Sequence, residues 1–150
     1  MSDKLAYTIA TVFGAGYLPY VPGTWGSLAG LVCCVVFRNN LYMCIAAFIV
    51  TFILGVYAAD TVSKESGIKD PSFVVIDEFA CIFLAFAGVP FKLKYYIIGF
   101  FVYRLLDTLK PPPAKRLEKL HGGWGIMLDD LMVAVYTALI LRFFSSRSIF

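Results

Sequence analysis

Charge is scarce in this chain. Asp, Glu, Lys and Arg make up 15% of its 150 residues, against about 25% in an ordinary soluble domain. Apolar residues reach 60%, and a globule this small leaves too much surface in water to bury them all. That argues against a soluble bundle and for a membrane protein. Cysteine occurs four times, at Cys33, Cys34, Cys44 and Cys81, always inside apolar runs. Zinc-site and thiol-redox spacings are both missing, which leaves the cysteines as reduced packing residues. There is no dense basic stripe with interleaved aromatics, and the net charge of +3 is spread over several loops. Nucleic acid is therefore not an expected partner, whereas anionic lipid headgroups suit the charge. The N-terminus has one lysine and then Gly/Pro-interrupted hydrophobics, a poor signal peptide, so the mature chain is expected to start at Met1. Internal repeats and low-complexity tracts are missing too, and residues 1–150 read as one membrane-embedded domain.

The polar residues that do occur are gathered into motifs. His121-Gly122-Gly123-Trp124-Gly125-Ile126-Met127-Leu128-Asp129-Asp130 places three glycines ahead of two adjacent carboxylates, and the apolar run Leu131 to Phe144 follows. Carboxylates at the mouth of a hydrophobic segment are costly unless something binds them: a charge at the bilayer centre costs roughly 2.5–3.5 kcal/mol on insertion scales.

The hydrophobic segments predict an all-α, polytopic membrane bundle of about five helices, some only partly inserted. Leu5 to Val12 is short and ends at Gly14-Ala15-Gly16. Pro19 to Ser27 has too much proline and glycine to be regular, and Ser27 or Thr24 would cap a helix from Leu28 to Phe37, broken by Arg38-Asn39-Asn40. Leu41 to Ala59 has no charge in 19 residues and, at about 1.5 Å per residue, nearly spans a core of about 30 Å. Asp60 to Pro71 reads as a polar loop. Phe73 to Val89 is apolar apart from Asp77 and Glu78, and Pro90 to Lys94 is a basic turn. Tyr95 to Leu106 is the next helix, which must end by Lys110 because Pro111-Pro112-Pro113 follows. If each segment crosses, one side receives Lys4, Lys64, Lys69, Lys110, Lys115, Arg116 and Lys119, the other Arg38, Lys92, Lys94, Arg142 and Arg147. The positive-inside tendency points the first side at the cytoplasm. Thr24, Asp77-Glu78, Arg104–Lys110 and His121–Asp130 all fall on that same side.

Each cluster taken alone has a structural explanation. Acids in a first helical turn gain from the macrodipole. Arg104, Asp107 and Lys110, at i, i+3 and i+6, could be a snorkelling helix end with local ion pairs. Taken together, Asp77, Glu78, Asp107, Asp129 and Asp130 would repel one another without a cation, and hard Mg²⁺ takes one or two carboxylates together with phosphate and water. Arg104 and Lys110 suit phosphate oxygens, while Asp107 either ligates metal or orients Arg104. The glycine-rich helix start at Thr24 and Ser27 either caps or binds phosphate. His121, the single histidine, is expected to face the acidic cluster as general acid or base, if it is not merely structural. The expected class is a magnesium-dependent phosphatase at a membrane surface, with Asp129, Asp130, His121 and Thr24 candidates for the chemistry itself. Whether water or Thr24 is the nucleophile stays open.

At these residues the sequence resembles the phosphatidylglycerophosphatase A family of bacterial membrane enzymes. The matching pieces are Gly14-x-Gly16-x-x-Pro19-x-x-Pro22-Gly23-Thr24-x-Gly26-Ser27-Leu28, Asp77-Glu78-Phe79, Arg104-x-x-Asp107-x-x-Lys110-Pro111, and His121-Gly122-Gly123-x-Gly125-Ile126-Met127-x-Asp129-Asp130. They run in the family's order. The resemblance implies hydrolysis of the terminal phosphate monoester of phosphatidylglycerophosphate to phosphatidylglycerol, Mg²⁺ dependence, and a place in phospholipid synthesis at the bacterial inner membrane. Cys81 and Val135 stand where the family usually has glycine, and both are apolar packing positions. The Asp-x-Asp pair of haloacid-type phosphatases and the longer aspartate-rich signature of CDP-alcohol phosphotransferases are not present. The competing classes are a small transporter or channel, whose acids would be spread through membrane depth, and a non-catalytic assembly subunit.

Overall fold

The computed structural model describes residues 2–37 and 40–147, and among these every regular element is helical. The helices are α1 (Asp3–Ala10), α2 (Pro22–Val36), α3 (Leu41–Ser66), α4 (Ile76–Phe86), α5 (Leu93–Leu109), α6 (Ala114–Leu117) and α7 (Gly123–Ser146). A 3-10 turn, Ala15–Tyr17, lies between α1 and α2. Two helices, α3 and α7, are long and apolar enough to cross a membrane.

Several boundaries differ from the sequence expectation, each for a local reason. Helix α2 begins at Pro22, whose fixed φ suits a first helical position. Thr24 and Ser27 therefore lie inside the helix and do not cap it. Of the expected break at Arg38-Asn39-Asn40, the first two residues lie outside the described residues. Asn40 caps α3, its Oδ1 accepting from the Tyr42 and Met43 amides at 3.1 and 3.2 Å. Helix α3 then continues through Asp60 and Lys64, which form an i, i+4 ion pair at 2.7 Å, and stops at Gly67 in the left-handed region. The expected loop from Asp60 is thus two further helical turns. The last helix starts at Gly123 rather than Leu131, which makes it 24 residues long.

Helix α4 is the centre of the bundle. Ile76, Ala80, Cys81, Ile82, Phe83, Ala85 and Phe86 are all buried, packed by α2, α3, α5 and α7. At 11 residues it is roughly 16 Å long, about half a hydrocarbon core. Its C-terminal end is satisfied from a neighbour, because Arg142 of α7 donates to the Ala87 carbonyl at 3.0 Å. Helix α3 lies at the periphery, with Ile49, Val50, Ile53, Leu54 and Tyr57 exposed.

The start of α7 is pressed against the end of α3. A Cβ on Gly123 would run into the Val56 carbonyl and come within 2.9 Å of the Asp60 amide nitrogen. The Gly123 amide donates to Asp60 Oδ1 at 3.4 Å. Gly123→Val is therefore expected to push α7 off α3 and cost about 1–3 kcal/mol, as overpacking does. A fluorescence-monitored melt in detergent reads this as a lowered Tm; an unchanged Tm would mean that the two helices are not locked together here.

Candidate active site

Four helix segments converge at one end of the bundle: the first turns of α2 and α4, the last turns of α5, and the second turn of α7. Asp77 and Glu78 are the second and third residues of α4, and Asp130 comes from α7. One carboxylate oxygen from each of these three lies within 4.8 Å of the others. Met127 and Ile76 pack on Gly55 of α3, five residues before Asp60, so this level lies roughly 7–8 Å inside the polar rim.

Asp129 and Asp130 are each only 3% exposed. They sit in the body of α7, so the helix-end stabilisation weighed for them from sequence does not apply. Asp77 Oδ1, Glu78 Oε2 and Asp129 Oδ1 are buried with no hydrogen-bond partner among the described residues. Two unit charges 4.8 Å apart repel by roughly 3–4 kcal/mol at an effective dielectric of about 20. Three ionised carboxylates at that spacing need a positive charge among them or must take up protons. The donor set is all oxygen and hard, which fits a small divalent cation and not a thiolate-loving one.

Two cations stand at the site, and each is already held. Arg104 Nη1 lies 2.8 Å from Asp107 Oδ2 and 3.8 Å from Glu78 Oε1. It also donates to Ser27 Oγ at 3.3 Å, while Ser27 Oγ donates to the Gly23 carbonyl at 2.8 Å. A Cβ on Gly23 would collide with Glu78 Oε1, so any larger residue here would have to displace that carboxylate. Lys110 Nζ lies 2.7 Å from Asp129 Oδ2 and 3.6 Å from Glu118 Oε1. Burial alone would lower the Lys110 pKa, but the hydrogen bond and charge of Asp129 outweigh it and raise the pKa above the ordinary lysine value.

The candidates named from sequence separate into two groups. Asp77, Glu78 and Asp130 form the triad; Asp107, Arg104, Ser27, Lys110 and Asp129 form the ion-paired surround. Thr24 is half-buried in the first turn of α2, and no hydrogen bond links its side chain to the acids among the described residues. His121 is exposed on the loop before α7, outside the ion-paired network among the described residues, and is not held against the cluster as expected.

Sequence reasoning missed four participants. The Tyr103 hydroxyl, fully buried, donates to Asp130 Oδ2 at 2.8 Å. Its place beside Arg104, four residues before Asp107, was the available signal. Glu118, which lies 3.6 Å from Lys110, and Asp70 line a small hollow of about 50 Å³. Asp60 binds the start of α7, and no linear pattern joins residues 60 and 123.

The family model for phosphatidylglycerophosphatase A matches residues 8–145 of this chain. The chain belongs to the phosphatidylglycerophosphatase A family. A phosphatidylglycerophosphatase A from Haemophilus influenzae is 34% identical over 139 residues, 90% of this chain and 85% of that protein. One from Escherichia coli strain K12 is 33% identical over 140 residues, 91% of this chain and 81% of its own. A Bacteroides thetaiotaomicron protein named "Putative phosphatidylinositol-3-phosphatase" is 32% identical over 146 residues, 91% of each chain. No solved structure matches. The model's match takes in the α2 start, both acidic pairs and both cations, so the family region contains the whole site.

Removing the Lys110 ammonium leaves a nearly buried carboxylate unpaired, which costs about 1–3 kcal/mol or more for a charged group. Lys110→Met is expected to lower the Tm, and Asp129→Asn in the same chain to restore most of it. Additive losses in the double variant would show that the 2.7 Å pair does not couple the two residues.

Proposed function

We propose that this protein is a magnesium-dependent phosphatidylglycerophosphatase of the bacterial inner membrane, which removes the terminal phosphate monoester to leave phosphatidylglycerol. The observation that carries this reading is the carboxylate triad with buried, orphaned oxygens on Asp77 and Glu78, with Arg104 beside Glu78 and Lys110 on the neighbouring Asp129, in a chain of this family. The names of the three relatives all describe removal of phosphate from a phospholipid headgroup. That agrees with a site whose charged groups address phosphate oxygens and leave the rest of the headgroup unspecified.

Asp77, Glu78 and Asp130 would hold the magnesium ion, which when bound supplies Lewis-acid charge against the phosphoryl oxygens. Asp107 and Asp129, also candidate ligands by sequence, serve instead to orient Arg104 and Lys110. The guanidinium and the ammonium neutralise charge that grows on the phosphoryl oxygens. Asp129 keeps one oxygen on Lys110 and leaves Oδ1 free, which suits it to accept a proton from an attacking water. The N-terminal end of α2, which begins at Pro22 and carries Thr24 and Ser27 in its first two turns, adds partial positive charge on the side where Gly23 meets Glu78.

The apolar flanks of α3 and α7 embed the molecule in lipid, with the site opening to the cytoplasmic face in keeping with the Lys/Arg count. A transporter is not favoured, because its acids would be spread through depth whereas the triad lies at one level.

Phosphate release from phosphatidylglycerophosphate in detergent micelles tests the reading. Wild type with Mg²⁺ should release phosphate; EDTA, or Asp130→Ala, should each reduce the rate at least 100-fold. Release indifferent to both chelation and substitution would overturn it.

A further inference from the structure

An apolar groove of about 500 Å³ opens between α2 and α5, within the roughly 300–1,000 Å³ range of small-ligand sites. Leu28, Leu31 and Val35 form one wall, and Leu93, Ile97 and Phe101 form the other. The two helices are antiparallel here. Helix α2 leaves the charged site at Ser27, and α5 arrives at it with Arg104, whose Nη1 donates to Ser27 Oγ at 3.3 Å across the head of the groove. The lining begins one residue beyond Ser27 and three before Arg104. At about 1.5 Å per residue it runs roughly 10–12 Å away from the carboxylates. Its outer side is open, since Ile97 is 49% and Phe101 68% exposed.

We propose that this groove seats one acyl chain of the lipid substrate, while the headgroup runs past Ser27 and Arg104 to the carboxylates. The inference rests on the phosphatase reading and specifies how that substrate is held. The groove and a phospholipid have the same order of polarity, charge at one end and hydrocarbon along the rest. The linking phosphate and glycerol of the headgroup separate the reacting monoester from the acyl esters, so the chain enters the groove beyond Leu28. The second acyl chain of the same lipid then stays in the surrounding lipid. Binding energy gathered along the groove, remote from phosphorus, fixes the headgroup over the site. The occupant is a substrate chain rather than a second copy of the protein because the groove is continuous with the Arg104–Ser27 contact at the charged site.

The test combines kinetics with photolabelling, both on the full chain in detergent micelles. Leu31→Trp and Ile97→Trp fill the groove, while Ile53→Trp and Leu139→Trp alter apolar faces elsewhere. The groove variants should raise KM about tenfold for dioleoyl phosphatidylglycerophosphate and leave it unchanged for the dihexanoyl lipid, whose tails are too short to fill the groove. The control variants should leave both unchanged. Equal losses with the two lipids would overturn the proposal. For wild type, phosphatidylglycerophosphate carrying a diazirine in one acyl tail should label α2 and α5 peptides, and unlabelled substrate but not phosphatidylcholine should compete. Label on α3 or α7, or equal competition by phosphatidylcholine, would overturn it and identify bulk lipid as the occupant. Absence of phosphate release by wild type would remove the phosphatase reading separately, and the competed label would still decide the groove.

Discussion

Carboxylates held inside an apolar helical bundle are the constraint that the rest of this structure answers. Asp77, Glu78, Asp129 and Asp130 come from two helices and lie below the polar rim, where each uncompensated charge is costly. Arg104, from the last turns of α5, and Lys110, the residue that ends it, bring the compensation, and each is fixed by a carboxylate of its own at 2.8 or 2.7 Å. A buried ion pair adds little net stability, but breaking one is expensive, so such pairs hold geometry more than they hold the fold. Here they hold two cations beside carboxylates that keep buried oxygens without partners among the described residues.

The bundle meets that constraint through the placement of its shortest core helix and the close approach of its neighbours. Helix α4 is about half as long as a membrane crossing, and its N-terminal turn carries Asp77 and Glu78 into the interior. Gly23 brings α2 against Glu78, and Gly123 brings α7 against the backbone of α3. An added methyl group at Gly123 would meet the α3 backbone, and one at Gly23 would have to displace the Glu78 carboxylate. The α2–α5 seam is different in kind: spanned at its polar end by the Arg104–Ser27 hydrogen bond, it opens into an apolar groove along the rest of its length.

The helical class, the apolar spans and seven charged groups at the site were legible in the linear sequence, whereas Asp60, Asp70 and Glu118 were not. Leu41–Ala59 announced α3 by length and lack of charge, and the triprolyl stop announced the end of α5. Helix starts were less legible. Glycines before Asp129 read as a loosened backbone, yet Gly123 and Gly125 are helical because α3 leaves no room for a side chain at Gly123. Similarly, Asp60 and Lys64 read as loop residues but continue α3 as an i, i+4 pair.

Sequence by itself determined which residue types were available: oxygen donors, two phosphate-matching cations and enough hydrocarbon to embed them. That follows because composition, hydrophobic run length and helix-breaking residues act locally along the chain. Tertiary structure alone decided the partition among them. It grouped Asp77 and Glu78 with Asp130, turned Asp107 and Asp129 toward Arg104 and Lys110, brought Tyr103 to Asp130, and left His121 at the rim. Those choices depend on how helices distant in sequence rotate and approach, and close packing sets that rotation where residue spacing cannot.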